Sequence, residues 1–169
     1  MNYKGMQVEL GPEIIKTALG RQEIDQTSEL IRKKFVWAMR AGDKLCFDIE
    51  NTKPDFGGQL RVYGTFDPDI FFDYRAMNQR HNFISYVREY ENHGPGGINP
   101  GSGYVRKESF AMIIRSCAEN EQVLREQISK IPRFASDFKP IIIERSEIIK
   151  ANPTRRQVRH EIRDMRDRN

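Results

Sequence analysis

Leu45-Cys46-Phe47-Asp48-Ile49-Glu50 is the stretch on which the fold turns. Six residues are too few for a stable helix, and the run is apolar enough to be a strand buried in a sheet. Asp43-Lys44 leads into it from Gly42, and Gly42 in turn closes an amphipathic segment over residues 27–41. In that segment Ile31, Phe35 and Ala38 fall on one helical face, Trp37 and Ala41 lie beside it, and a glycine just past the last apolar residue is a helix stop. A helix running straight into a buried strand is the unit from which α/β sheets are built.

Working toward the N-terminus, Gly11-Pro12-Glu13 followed by Ile14, Ile15, Ala18 and Leu19 and closed by Gly20 reads as a short helix. Toward the C-terminus, residues 51–64 carry Pro54 and Gly57-Gly58 and form a loop. Asp67-Pro68-Asp69 offers a cap with proline in the first turn and opens a helix through Ile70, Phe71, Tyr74 and Met77. Residues 82–89 alternate, with Phe83, Ser85 and Val87 opposite Ile84, Tyr86 and Arg88, which predicts a strand. Residues 93–103 hold five glycines and two prolines in eleven positions, so a long surface loop is expected. Phe110-Ala111-Met112-Ile113-Ile114 and Lys139-Pro140-Ile141-Ile142-Ile143-Glu144 read as buried strands, separated by a helix over residues 119–128 with Val123, Leu124 and Ile128 inward. Alternating helices and strands predict an α/β fold with a mostly parallel sheet flanked by helices.

The chain of 169 residues is large enough for one core, and 38% apolar against 31% charged residues with a mean hydropathy of −0.69 implies much surface for that core. The first residues lack the basic-then-apolar order of a secretory leader, and no segment approaches the ~20 apolar residues that span a bilayer. Cys46 and Cys117 both sit in short apolar runs, so two buried thiols are expected, as in a reducing, cytoplasmic setting. The net charge of +4 is unevenly placed. Residues 150–169 hold seven basic and three acidic side chains, an excess equal to the charge of the whole chain. Attraction to an acidic partner is therefore expected in this arm. Asn152-Pro153 restarts a helix there, with Val158, Ile162 and Met165 in a narrow apolar stripe among Arg155, Arg156, Arg159, Arg163, Arg166 and Arg168. Three apolar residues are too few to hold a helix unaided, so the arm is expected to dock on something. The expected division is residues 1–26 as an N-terminal arm and short helix, 27–145 as the α/β domain and 146–169 as a basic C-terminal helical arm.

The glycine-rich segment lacks the Gly-Lys-Ser/Thr of a phosphate loop, with no lysine before Lys107, and leads into a strand. Asp48 and Glu50, at the carboxyl end of their strand, are the candidate metal ligands, since ligands of open α/β sheets bind at that end and carboxylates there hold hydrated Mg²⁺. The alternative is that Cys46, Asp48 and Glu50 share a strand face with the acids solvated at its margin. His81, His93 and His160 are scattered without zinc spacing, and Gly101-Ser102-Gly103 is not a nucleophile elbow. No catalytic residue and no cofactor is therefore expected. Arginine forks suit carboxylate or phosphate, so the arm admits an acidic protein or RNA, and without an aromatic residue to stack bases it favours protein.

From Leu30 to Glu144 the pattern resembles the C-terminal half of a P-loop NTPase domain of the AAA-like type. Residues 45–50 look like a Walker B strand, 110–116 like a sensor strand and 139–144 like the last strand. Degenerate domains of this kind are found in ciliary and flagellar IQ-motif and ankyrin-repeat proteins. No Walker A sequence is present, Ile49 splits the Walker B pair, and too little chain precedes the second helix to supply a further strand and phosphate loop. The resemblance implies a pseudo-NTPase scaffold, with Asp48 and Glu50 at metal and water positions that have no phosphate site to serve. The expectation is a non-catalytic structural or binding subunit of a large cytoplasmic assembly, cytoskeletal or axonemal, whose arm meets an acidic surface such as tubulin. The alternatives are a nucleotide-binding ATPase subunit and an RNA-associated protein of the ribosomal type.

Overall fold

The computed structural model describes residues 5–93 and 103–143. Its sheet has three strands, all parallel, in the order β1 (Gly5–Glu9), β2 (Lys44–Glu50), β3 (Ala111–Ser116). Helices α1 (Leu10–Ala18) and α2 (Ile24–Ala41) connect β1 to β2. Three short helices, α3 (Pro68–Phe71), α4 (Tyr74–Asn78) and α5 (Arg80–Ile84), lie between β2 and β3, followed by a 3-10 turn over Glu89–Glu91. Two more, α6 (Glu121–Ser129) and α7 (Phe134–Asp137), follow β3. The α/β fold read from the sequence is thus the observed one. Among the described residues no helix is long and apolar enough to cross a membrane.

β2 is the centre of the sheet because its alternation serves two faces. Leu45, Phe47 and Ile49 are buried on one face with Val8 of β1, while Cys46 and Asp48 point to the other. Phe47 meets Phe56 and Phe72 at ring separations of 6.0 and 6.1 Å, and the layer continues through Phe66, Phe71, Phe35 and Tyr86, with Phe35 and Phe71 only 4.0 Å apart. On α2, Ile31, Phe35 and Ala38 face this core as their spacing requires, and Gly42 ends the helix with φ 74°, a left-handed geometry that a side chain would strain. Asp67, Asp73 and Asn120 cap α3, α4 and α6 by accepting from backbone N–H groups at 3.1, 2.8 and 3.0 Å.

Five expectations are corrected. Gly5–Glu9 is a strand hydrogen-bonded to β2, so the sheet reaches into the expected N-terminal arm, and the chain before α2 does supply a further strand. Its two apolar residues, Met6 and Val8, suffice because the pairing partner is already there. Residues 82–89 are not a strand. Phe83 and Tyr86, three apart, both turn into the aromatic core, a spacing that α5 and its following turn provide and an alternating strand does not. The single helix expected from Asp67 to Met77 is broken at Phe72, because the Asp73 side chain caps a new start. Residues 139–143 belong to no strand, leaving Ile141 and Ile143 at 86% and 92% exposure. Cys46 is buried as expected, whereas Cys117 is exposed just beyond β3. Residues 94–102, the Glu144 end of the last expected strand and the whole arm, including Arg155, Arg156, Val158, Arg159, Ile162, Arg163, Met165 and Arg166, lie outside the described residues.

Candidate functional site

Parallel strands carry their sites at the carboxyl end, and here that end assembles Glu9, Asp48, Glu50, Arg115 and Ser116. Asp48 pairs across the sheet with Glu9 on one side and Arg115 on the other. It is buried, not solvated at the margin as one reading of the strand held. Its Oδ2 accepts from Arg115 Nη1 at 2.5 Å and from Gln7 Nε2 at 3.0 Å, and its Oδ1 accepts from the Glu50 backbone N–H at 3.3 Å. The Asp48 carboxylate in turn raises the pKa of Arg115. Arg115 itself is largely exposed, so the pair bridges three strands on the sheet face that leaves Gln7 and Ile113 open to solvent.

Glu50 leaves that face. The register slips between Asp48 and Glu50, and Glu50 adopts φ 48°, which turns its side chain toward the start of α1. A Cβ on Gly11 would lie 3.0 Å from Glu50 Oε2, so only glycine lets this carboxylate approach the helix without displacement. The two candidate ligands therefore do not converge. Among the described residues no group of three or more His, Cys, Asp or Glu side chains has the arrangement of a metal site. β1 passes directly into α1 from Glu9 to Leu10, with Glu13 in the first turn. A phosphate at that helix start would meet carboxylates instead of a glycine-lined nest.

Gln127 of α6, nearly inaccessible to solvent, locks the end of β2. Its Nε2 donates to the Glu50 carbonyl at 3.0 Å and the Thr52 carbonyl at 2.7 Å, and its Oε1 accepts from Ser116 Oγ at 2.5 Å. Sequence reasoning singled out Asp48 and Glu50 but missed Gln7, Arg115 and Gln127. Arg115 within an apolar strand run and Gln127 beside the expected inward positions of α6 were the available signals, and neither names a partner without the register. No protein-family profile, curated protein or solved structure matches the chain.

Proposed function

We propose that this chain is a non-catalytic binding subunit of a larger cytoplasmic assembly. The observation that carries this reading is the state of Asp48: both of its oxygens are engaged by Arg115, Gln7 and the Glu50 N–H, and Glu50 points elsewhere. A carboxylate bound in this way ties strands together instead of presenting a charge to a substrate. Support for binding comes from the C-terminal side of the domain. Ile141 and Ile143 are exposed and precede the arginine-rich residues 150–169 in the sequence, and large aliphatic residues near concentrated positive charge in the chain suit an acidic protein surface with an apolar seam. Tubulin presents a surface of that charge, which makes a cytoskeletal partner the specific form of the proposal.

Calorimetry of the full chain with Mg-ATP tests the non-catalytic half. No measurable heat is expected, whereas micromolar binding lost in Asp48→Ala overturns it and promotes an ATPase. Co-sedimentation with microtubules at rising salt tests the other half. Binding is expected to weaken with ionic strength, as charge attraction screened over about 10 Å at 0.1 M must. Stronger retention on structured RNA at equal ionic strength sinks the cytoskeletal partner.

A further inference from the structure

All three strands run parallel, and all-parallel sheets occur almost only with both faces covered. This sheet has one face covered. Val8, Leu45, Phe47 and Ile49 belong to a single buried core with Ile31 and Phe35 of α2 and the aromatic layer. Across the opposite face run two rows, Gln7, Cys46, Ile113 and Glu9, Asp48, Arg115, each taking one residue from β1, β2 and β3. Gln7, Glu9, Ile113 and Arg115 are all exposed, and only the central strand's Cys46 and Asp48 are shielded. An exposed isoleucine inside β3, with both outer strands open on the same side, means that no helix among the described residues covers this face.

The size of the face restricts what can cover it. Strands of five to seven residues, spaced about 4.8 Å apart, present roughly 300 Å², whereas a stable interface between separate molecules takes about 800 Å² from each. A segment of the same chain needs less area, because its docking is intramolecular. Residues 144–169 lie beyond the described ones, and the chain approaches them from beside the sheet: the Phe138 ring is 5.9 Å from Phe72, which is 6.1 Å from Phe47 of β2. The path from Phe138 to Val158 spans about 30 Å even if helical throughout and roughly 65 Å if extended, against a spacing of about 10 Å between packed layers.

The pattern of that segment fits the face. Val158, Ile162 and Met165 form one stripe at helical spacing. At 3.6 residues per turn, Arg155, Arg166 and Arg159 follow about 60° to 100° round from Val158 on one side, and Glu161 and Asp164 about 60° and 120° round on the other. The sheet face is divided in the same sense. Glu9, on the β1 edge, has no ion-pair partner among the described residues, and Arg115, on the β3 edge, remains more than half exposed while paired with Asp48.

We propose that residues 153–167 dock on this open face as a helix lying along β2. Val158, Ile162 and Met165 cover Cys46 and Ile113, the arginine flank meets Glu9 and the acidic flank meets Arg115. Arg156 and Arg163, about 140° to 160° round from Val158, stay outward. The docking therefore goes beyond the acidic-partner reading and is tested apart from it.

The test is methyl-detected NMR on the full chain. Cross-peaks are expected between the methyl groups of Ile113 and those of Val158 or Ile162, within one chain and not between labelled and unlabelled chains in a mixed sample. Ile162→Asp is expected to abolish them and to lower Tm by about 5 °C, the loss of one buried aliphatic side chain. Should that variant fold poorly, the cross-peaks of the native chain decide alone. The proposal is overturned if no cross-peak joins Ile113 to the stripe. It is equally overturned if the cross-peaks arise between chains, which assigns the face to a second copy, or if folded Ile162→Asp keeps the native Tm, which leaves the face to another protein.

Discussion

Arg32 and Arg40 stand two turns apart on α2 and have opposite surroundings. Arg32 is fully buried, and its guanidinium is satisfied on every side: Glu29 accepts from Nε and Nη2 at 2.8 and 2.7 Å, Glu91 from Nη1 and Nη2, and the Tyr86 carbonyl from Nη1 at 2.6 Å. Among the described residues Arg40 reaches only the Glu91 carbonyl and His93, stacks on an aromatic ring, and has no acceptor for its buried Nε–H. A buried charge with its full set of partners organises structure, because breaking the set strands the remaining members in a dry interior. A charge whose set is incomplete does less to hold the fold together.

Breaking the satisfied cluster gives the largest effect. Arg32→Met is expected to destabilise the domain by about 3–5 kcal/mol, because Glu29, Glu91 and the Tyr86 carbonyl lose their partner together. Urea denaturation followed by tryptophan fluorescence measures it, and a cost below about 1 kcal/mol shows that the cluster relaxes into water. Gln127→Ala extends the comparison to a neutral hub. Leaving the Thr52 carbonyl unmet and the Glu50 carbonyl with the Cys117 N–H alone should cost about 1–3 kcal/mol in the same assay.

Acid titration sharpens the contrast. Hydrogen bonding from Arg32 holds the Glu29 carboxyl below the usual range. For Glu91, burial pushes the pKa up, but hydrogen bonds from Arg32 and the Arg88 N–H outweigh it, so this carboxyl also lies low. Groups with depressed folded pKa values add stability that is complete above the unfolded value, about 4.3 for Glu, and is lost as pH falls through the folded ones. Stability should therefore decline below about pH 4.3, and the Arg32→Met variant should show a shallower decline over that window. Equal slopes in the two proteins would mean that other carboxylates dominate. The smallest effect belongs to Arg106, which stacks on Phe110 and makes no hydrogen bond among the described residues: Arg106→Gln should change stability by no more than about 0.5 kcal/mol. A large loss there assigns Arg106 to the framework instead.

The elements legible in the sequence are those whose signal is local. The helical face of Ile31, Phe35 and Ala38, the stop at Gly42 and the cap at Asp67 depend on neighbours within a turn, and β2 is apolar enough to announce a central strand alone. β1 was missed because Met6 and Val8 make a strand only when β2 supplies the hydrogen bonds. Residues 139–143 mislead in the opposite direction: three isoleucines favour a strand, but a strand also needs a partner edge, and these residues have none. For residues 82–89 the alternation predicted a strand, and the position of the aromatic core decided for a helical turn instead.

The same division holds for the sites. The residues alone determined an α/β chain with a basic terminal segment, no phosphate loop, and a carboxylate, Asp48, at the end of its central strand. Only the tertiary structure decided that Asp48 is held by Gln7 and Arg115, that Glu50 turns away toward Gly11, and that Arg40 meets His93. The reason is physical. Periodicity and capping are set by residues within a few positions of one another, whereas the partner of a polar group is set by strand register and chain crossing, which join positions dozens of residues apart.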